Sequence, residues 1–181
     1  MELAPHYLDE VRRQFRGYKR LGEGAIAQLK DEELFVALDP EANSIAVIVK
    51  HLAGNMRSRF TDFLTTDGEK PDRNRDGEFE MAATAPREEL LRGWEVGWSA
   101  ALESLDALRP DDLDRTVRIR TEPFAVVEAL NRSITHTAYH IGQIVYLARH
   151  FAGADWRSLS IPKGMSSQHL QGEFRSKGLA R

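Results

Sequence analysis

The stretch Phe124–Phe151, FAVVEALNRSITHTAYHIGQIVYLARHF, contains no proline and carries one consistent period. Val127, Leu130, Ile134, Thr137, Ile141, Ile144/Val145 and Ala148 recur at steps of three and four, which places them on one stripe of an amphipathic helix. Pro123 stands in front, where a first turn tolerates it. The other prolines, at 5, 40, 71, 86, 110 and 162, bound further stretches with the same pattern. In the first, Leu8, Val11, Phe15, Tyr18, Ile26 and Leu29 oppose Arg12, Arg13, Arg16, Lys19 and Arg20, a basic face that reads as solvated. Ile45, Ile48, Leu52, Met56 and Phe63 form the second stripe, with Asn43 and Ser44 as N-cap residues. Leu90/Leu91, Trp94, Trp98, Ala101/Leu102 and Leu105 form the third.

Helices over about 4–30, 44–66, 86–108 and 124–151 would be about 33–42 Å long at 1.5 Å per residue. This predicts an all-α fold, a four-helix bundle in a single domain over 1–181. The polar linker 67–85 is the long crossover between helices two and three. Residues 109–123 form a shorter loop in which Thr116–Thr121 alternates like a small strand, and an irregular tail starts at 152.

Composition narrows the chemistry. Hydrophobic residues make up 41% of the 181, enough for a buried core. A net charge of −3 argues against a nucleic-acid partner, and the absence of cysteine excludes disulfides, thiolate-held metals and a protein-borne thiol nucleophile. No apolar run has the length of a membrane span and no leader is evident, so the expectation is a cytoplasmic protein without a membrane partner. Gly22-Glu-Gly24-Ala-Ile-Ala27 fits a dinucleotide fingerprint in form only, because a basic helical segment precedes it instead of a buried strand.

The sharpest constellation is His136-x-x-x-His140. Imidazoles at i and i+4 share a helix surface and can reach one ion. Both lie on the flank of the apolar stripe, pointing inward. His51 has the same offset from its own stripe on helix two, and Asn55 and Arg59 follow it at one-turn steps. Three neutral nitrogens from two helices suit a metal with open positions, while the plainer alternative is that these polar residues hydrogen-bond one another. Gln143, one turn past His140, could orient a ligand, or simply border the core. Arg59 could hold a substrate carboxylate or pack its stem at a helix end, and Lys163 could fold over a pocket mouth. Trp94 and Trp98 read as core aromatics, and His6, His150 and His169 have no paired spacing.

Three runs resemble a known family. Asn43-Ser-Ile-Ala-Val-Ile-Val-Lys-His51-Leu-Ala-Gly-Asn55 is similar to the second-helix motif of the DinB/YfiT-like metalloenzyme superfamily, and His136-x-x-x-His140-x-Gly142-Gln143-Ile144 to its fourth-helix motif. The tail Leu159-Ser-Ile-Pro-Lys-Gly164 resembles the C-terminal signature of an uncharacterised bacterial branch. The resemblance implies a four-helix bundle with non-sequential neighbours, a homodimer, and a divalent transition metal, zinc or nickel, on His51, His136 and His140. It further implies a low-molecular-weight thiol cosubstrate, as in the superfamily's thiol S-transferases and its thiol-dependent isomerase.

The expected activity is then thiol transfer: a metal-activated small thiol attacks a small-molecule electrophile. Metal-dependent hydrolysis is the second enzymatic reading. It needs a general base, and no Asp or Glu falls at a helix position beside the three histidines. A non-catalytic metal-binding bundle of a stress response is the reading from another class.

Overall fold

The computed structural model describes residues 2–80 and 85–167. Four long helices dominate it: α1 (Leu3–Ile26), α2 (Ile45–Phe60), α3 (Arg87–Ala107) and α4 (Val126–Ala152). A two-stranded antiparallel hairpin, β1 (Thr116–Ile119) and β2 (Glu122–Ala125), precedes α4. The protein is mostly helical, with that hairpin as its sheet among the described residues. α1 packs mainly on α4 and α2 on α3, with α2–α4 and α1–α3 as the secondary pairs. All four helices meet on one core, to which α1 brings Leu8 and Phe15, α2 Leu52 and Met56, α3 Trp94 and Trp98, and α4 Leu130 and Ile144.

Local chemistry explains the ends. Ser44 Oγ accepts the Val47 amide at 3.3 Å and caps α2. α1 stops at Ile26, short of residue 30, because the next amides close onto carbonyls three residues back and the Arg87 guanidinium takes the carbonyls of Ile26 and Leu29, each at 2.9 Å. α2 stops at Phe60, short of residue 66, since Thr61 is extended and Asp62 has φ +49°. The connection to α3 is therefore longer than a 67–85 linker, running over 61–86. It includes a short 3-10 helix, Asp76–Phe79.

Two expectations change. Residues 116–121 hold the first strand of a hairpin and its turn, with Arg120 and Thr121 both at positive φ, 57° and 68°. The Asp67 carboxylate accepts the amides of both turn residues, at 2.8 and 2.7 Å, which holds non-glycine residues in that conformation. The basic face of α1 is also less solvated than its sequence suggests. Arg12 donates to the carbonyls of Leu105 and Leu108, at 3.1 and 2.7 Å, Arg16 pairs with Asp106, and Lys19 reaches Glu95. Arg12 thus satisfies the carbonyl end of α3, while Arg16 and Lys19 pair with its side-chain carboxylates.

α2 is buried almost all round, because α3, α4 and the long connection each cover a side of it. Its contact with α3 is close enough to require Gly97, where a Cβ would sit 2.6 Å from the Ala53 carbonyl oxygen. Gly97→Ala should therefore destabilise the protein by about 1–3 kcal/mol through overpacking. Gly93→Ala, on the exposed side of the same helix with nothing within 4 Å, should stabilise it by about 0.5–1 kcal/mol. Urea midpoints would read the two opposite signs, and equal shifts would refute the close approach.

The tail runs through a 3-10 turn at Gly153–Asp155 and is tied to α1, with the Arg157 amide donating to Gln28 Oε1 at 2.6 Å and Leu159 lying against Gly24. Lys163 is exposed, and residues 168–181 with His169 lie outside the described part. No described helix is long and apolar enough to cross a membrane.

Candidate metal centre

α4 sets His136 and His140 one turn apart with their Nε2 atoms 3.2 Å from each other, and α2 brings His51 Nε2 to 3.3 Å from His136 Nε2. Ligand atoms from all three imidazoles lie within 4.8 Å of one another. His51 is 5% exposed, while His136 and His140 are half-buried. Phe79 stacks against His51 at 4.7 Å between ring centroids, and the exposed Tyr139 meets His140 edge-on at 5.0 Å.

The outward nitrogens decide the tautomers. His51 Nδ1 lies 2.9 Å from Glu78 Oε2, and His140 Nδ1 lies 2.8 Å from Gln143 Oε1. Burial pushes the Glu78 carboxyl up, but hydrogen bonds from Arg73 and His51 and the Arg73 charge outweigh it and hold it below the ordinary carboxylate range. It is an acceptor only. Gln143 Oε1 likewise only accepts, so both Nδ1 atoms carry the proton and both Nε2 atoms present lone pairs inward.

His136 does not relieve the crowding. Burial first, then the neighbouring imidazoles, press its pKa down to about 3, and burial lowers His140 as well. A single Nε2–H on His136 could serve one neighbour and would leave the other lone pair facing nitrogen. A cation among the three resolves this. Tetrahedral zinc with bonds of 2.0–2.1 Å separates its nitrogens by about 3.3 Å, close to the two spacings here. The three-His group could thus hold a metal ion, and three imidazoles suit zinc, nickel, copper or iron.

The other anticipated residues fall differently. Gln143 reaches the site through His140. Asn55 is half-buried and, among the described residues, makes no hydrogen bond to the histidines. Arg59 is buried but turns to the connection, where it bonds the Gly68 carbonyl and Glu69 Oε2. Trp94 and Trp98 are core residues, 1% and 0% exposed, and their indole N–H groups have no partner among the described residues. His6 and His150 are exposed.

Sequence reasoning missed Glu78. Its carboxylate comes from the polar connection and not from a helix, so no periodicity marks it; the adjacent Phe79, a large apolar residue in a polar run, is the one local sign that this segment packs.

No curated protein matches the chain. One family model, described as a protein of unknown function (DUF1572), matches residues 2–165. It spans all four helices, the hairpin and the three histidines, and so the chain belongs to the DUF1572 family, a DinB-like family whose function is uncharacterised.

Proposed function

We propose that this protein is a metal-dependent transferase built on a DinB/YfiT-like four-helix bundle, and that it couples a small thiol to a small-molecule electrophile. The observation that carries the reading is the convergence of three imidazole nitrogens, two of which, on His51 and His140, are held with their lone pairs inward. Three protein donors leave coordination positions free, the pattern of catalytic and not structural zinc sites. When bound, a divalent cation supplies the positive charge that lowers the pKa of a thiol placed beside it.

The chain itself holds His51 and His140 in one tautomer through Glu78 and Gln143, and with no cysteine it offers no thiolate of its own in competition with the cosubstrate. In the reaction the thiol gives its proton to solvent, the sulfur pair forms the new S–C bond, and the electrophile's leaving group departs with the pair of the broken bond. Hydrolysis would ask for a general base instead. Glu78 is the carboxylate nearest at hand, but the Arg73 guanidinium already donates to both its oxygens, and the His51 Nδ1–H donates to one of them as well. Thiol transfer does not require it.

The test is turnover of an electrophile such as monochlorobimane by metal-loaded protein, with and without each of several small thiols. Rate enhancement that requires both thiol and metal is expected. Ester or amide hydrolysis without any thiol effect would hand the site to the hydrolytic reading.

A further inference from the structure

Glu78 is 6% exposed and receives His51 Nδ1 at 2.9 Å on Oε2, Arg73 Nε at 2.8 Å on Oε1 and Arg73 Nη2 at 2.8 Å on Oε2. The Arg73 side chain is itself 4% exposed, and its Nη1 reaches Glu69 Oε1 at 3.2 Å. Glu69 also accepts Arg59 Nη2 at 3.1 Å and Arg120 Nε, from the hairpin turn, at 3.0 Å. The connection is pinned to α2 by Lys50, whose Nζ donates to the carbonyls of Gly77 and Glu80, each at 2.7 Å. Gly54 leaves the space that Glu78 occupies; a Cβ there would overlap the carboxylate. An irregular segment thus delivers a buried, charge-balanced carboxylate to the back of His51.

We propose that docking of this connection on α2 and loading of the three-His site with a divalent cation are one linked equilibrium, in which Glu78 and Arg73 are positioning residues for His51. The inference rests on the metal-site reading above. His51 is the sole donor from α2, and its ring can turn about two bonds. The Nδ1 hydrogen bond, with Phe79 against the ring face, fixes which nitrogen points at His136 and in what plane. Arg73 in turn fixes the carboxylate by two parallel bonds, a geometry that lysine could not reproduce. A cation on Nε2 withdraws electron density from the ring and makes Nδ1–H a stronger donor, which tightens the hold on Glu78. By linkage, whatever the docked connection adds to cation affinity, the cation returns to docking.

Two measurements test this, both with Zn²⁺ as the probe. Competition against a chromophoric chelator should show Glu78→Gln binding Zn²⁺ roughly ten- to a hundredfold more weakly than wild type, at unchanged far-UV helicity. Hydrogen exchange on the wild-type protein should show Zn²⁺ slowing amides over 69–80, with no such slowing in His51→Ala, which retains the Glu78–Arg73 pair. Affinity of Glu78→Gln within twofold of wild type, or exchange over 69–80 indifferent to bound Zn²⁺, would overturn the linkage while leaving the metal site standing. Failure of wild type to bind Zn²⁺ at all would overturn the metal-site reading and the linkage with it. If Glu78→Gln does not fold, the wild-type exchange comparison decides alone.

Discussion

His136→Ala is expected to strip the protein of metal. Purified without a metal-affinity tag, the wild-type chain should carry about one divalent transition-metal ion per molecule, the stoichiometry of a single three-nitrogen site. His136 is the hub of that site, since its Nε2 lies 3.3 Å from that of His51 and 3.2 Å from that of His140. Its loss should weaken binding by more than the ten- to hundredfold that removing an orienting partner costs. Elemental analysis after dialysis would read this, and full metal in both His136→Ala and His140→Ala would place the ion elsewhere. Acidity refines the expectation. Ligation needs neutral imidazole, and burial keeps His136 neutral down to about pH 3 and lowers His140 too. At these two ligands protons should therefore compete with the ion only below the ordinary imidazole range. The metal-free protein is also weakened by acid, over a range set by the unfolded as well as the folded chain. Its unfolded chain takes up a proton on residue 136 near the ordinary value while the folded one does not, so stability present above about pH 6.5 should be lost progressively as pH falls toward about 3.

What the sequence reveals follows from what repeats in it. The α4 stripe of Leu130, Ile141, Ile144 and Ala148 is buried to 1% exposure or less, and the flank positions of His136 and His140 follow from the same angular count. His51 follows equally, because α2 obeys the same period. The connection obeys none. Glu69, Arg73 and Glu78 pair with one another inside the connection, but they are placed by the distant Arg59, Arg120 and His51 and by a space left at Gly54, none of which leaves a trace in local pattern. The helix ends were less legible than the helices for a related reason: Arg87, from another helix, terminates α1, and a turn at Asp62 terminates α2. The hairpin was half-legible, since Pro123 reads as a helix start although it pairs with Arg118 in β2.

His51→Ala should separate holding a metal from using it. His136 and His140 sit on one rigid helix and form a two-nitrogen clamp by themselves, so some binding should survive and excess metal should restore occupancy. Activity should not return. His51 is the donor that spans from α2 to α4, and Glu78, backed by Arg73, fixes its ring. On the proposed thiol-transfer reading, removing that donor leaves the position of the reacting sulfur undefined across the two helices. A displacement of about 1 Å can cost on the order of a hundredfold in rate. Thiol-dependent loss of monochlorobimane in metal-saturated His51→Ala should accordingly fall by at least that factor. Far-UV circular dichroism should be unchanged, because Leu52 and Met56 still fill the core side of α2 and the Glu78 carboxylate keeps its Arg73 partner. Wild-type rates in the metal-saturated variant would remove His51 from the ligand set. Equal loss of occupancy and activity at every metal concentration would instead make His51 a binding residue with no separate part in alignment, so the decisive quantity is the ratio of the two losses.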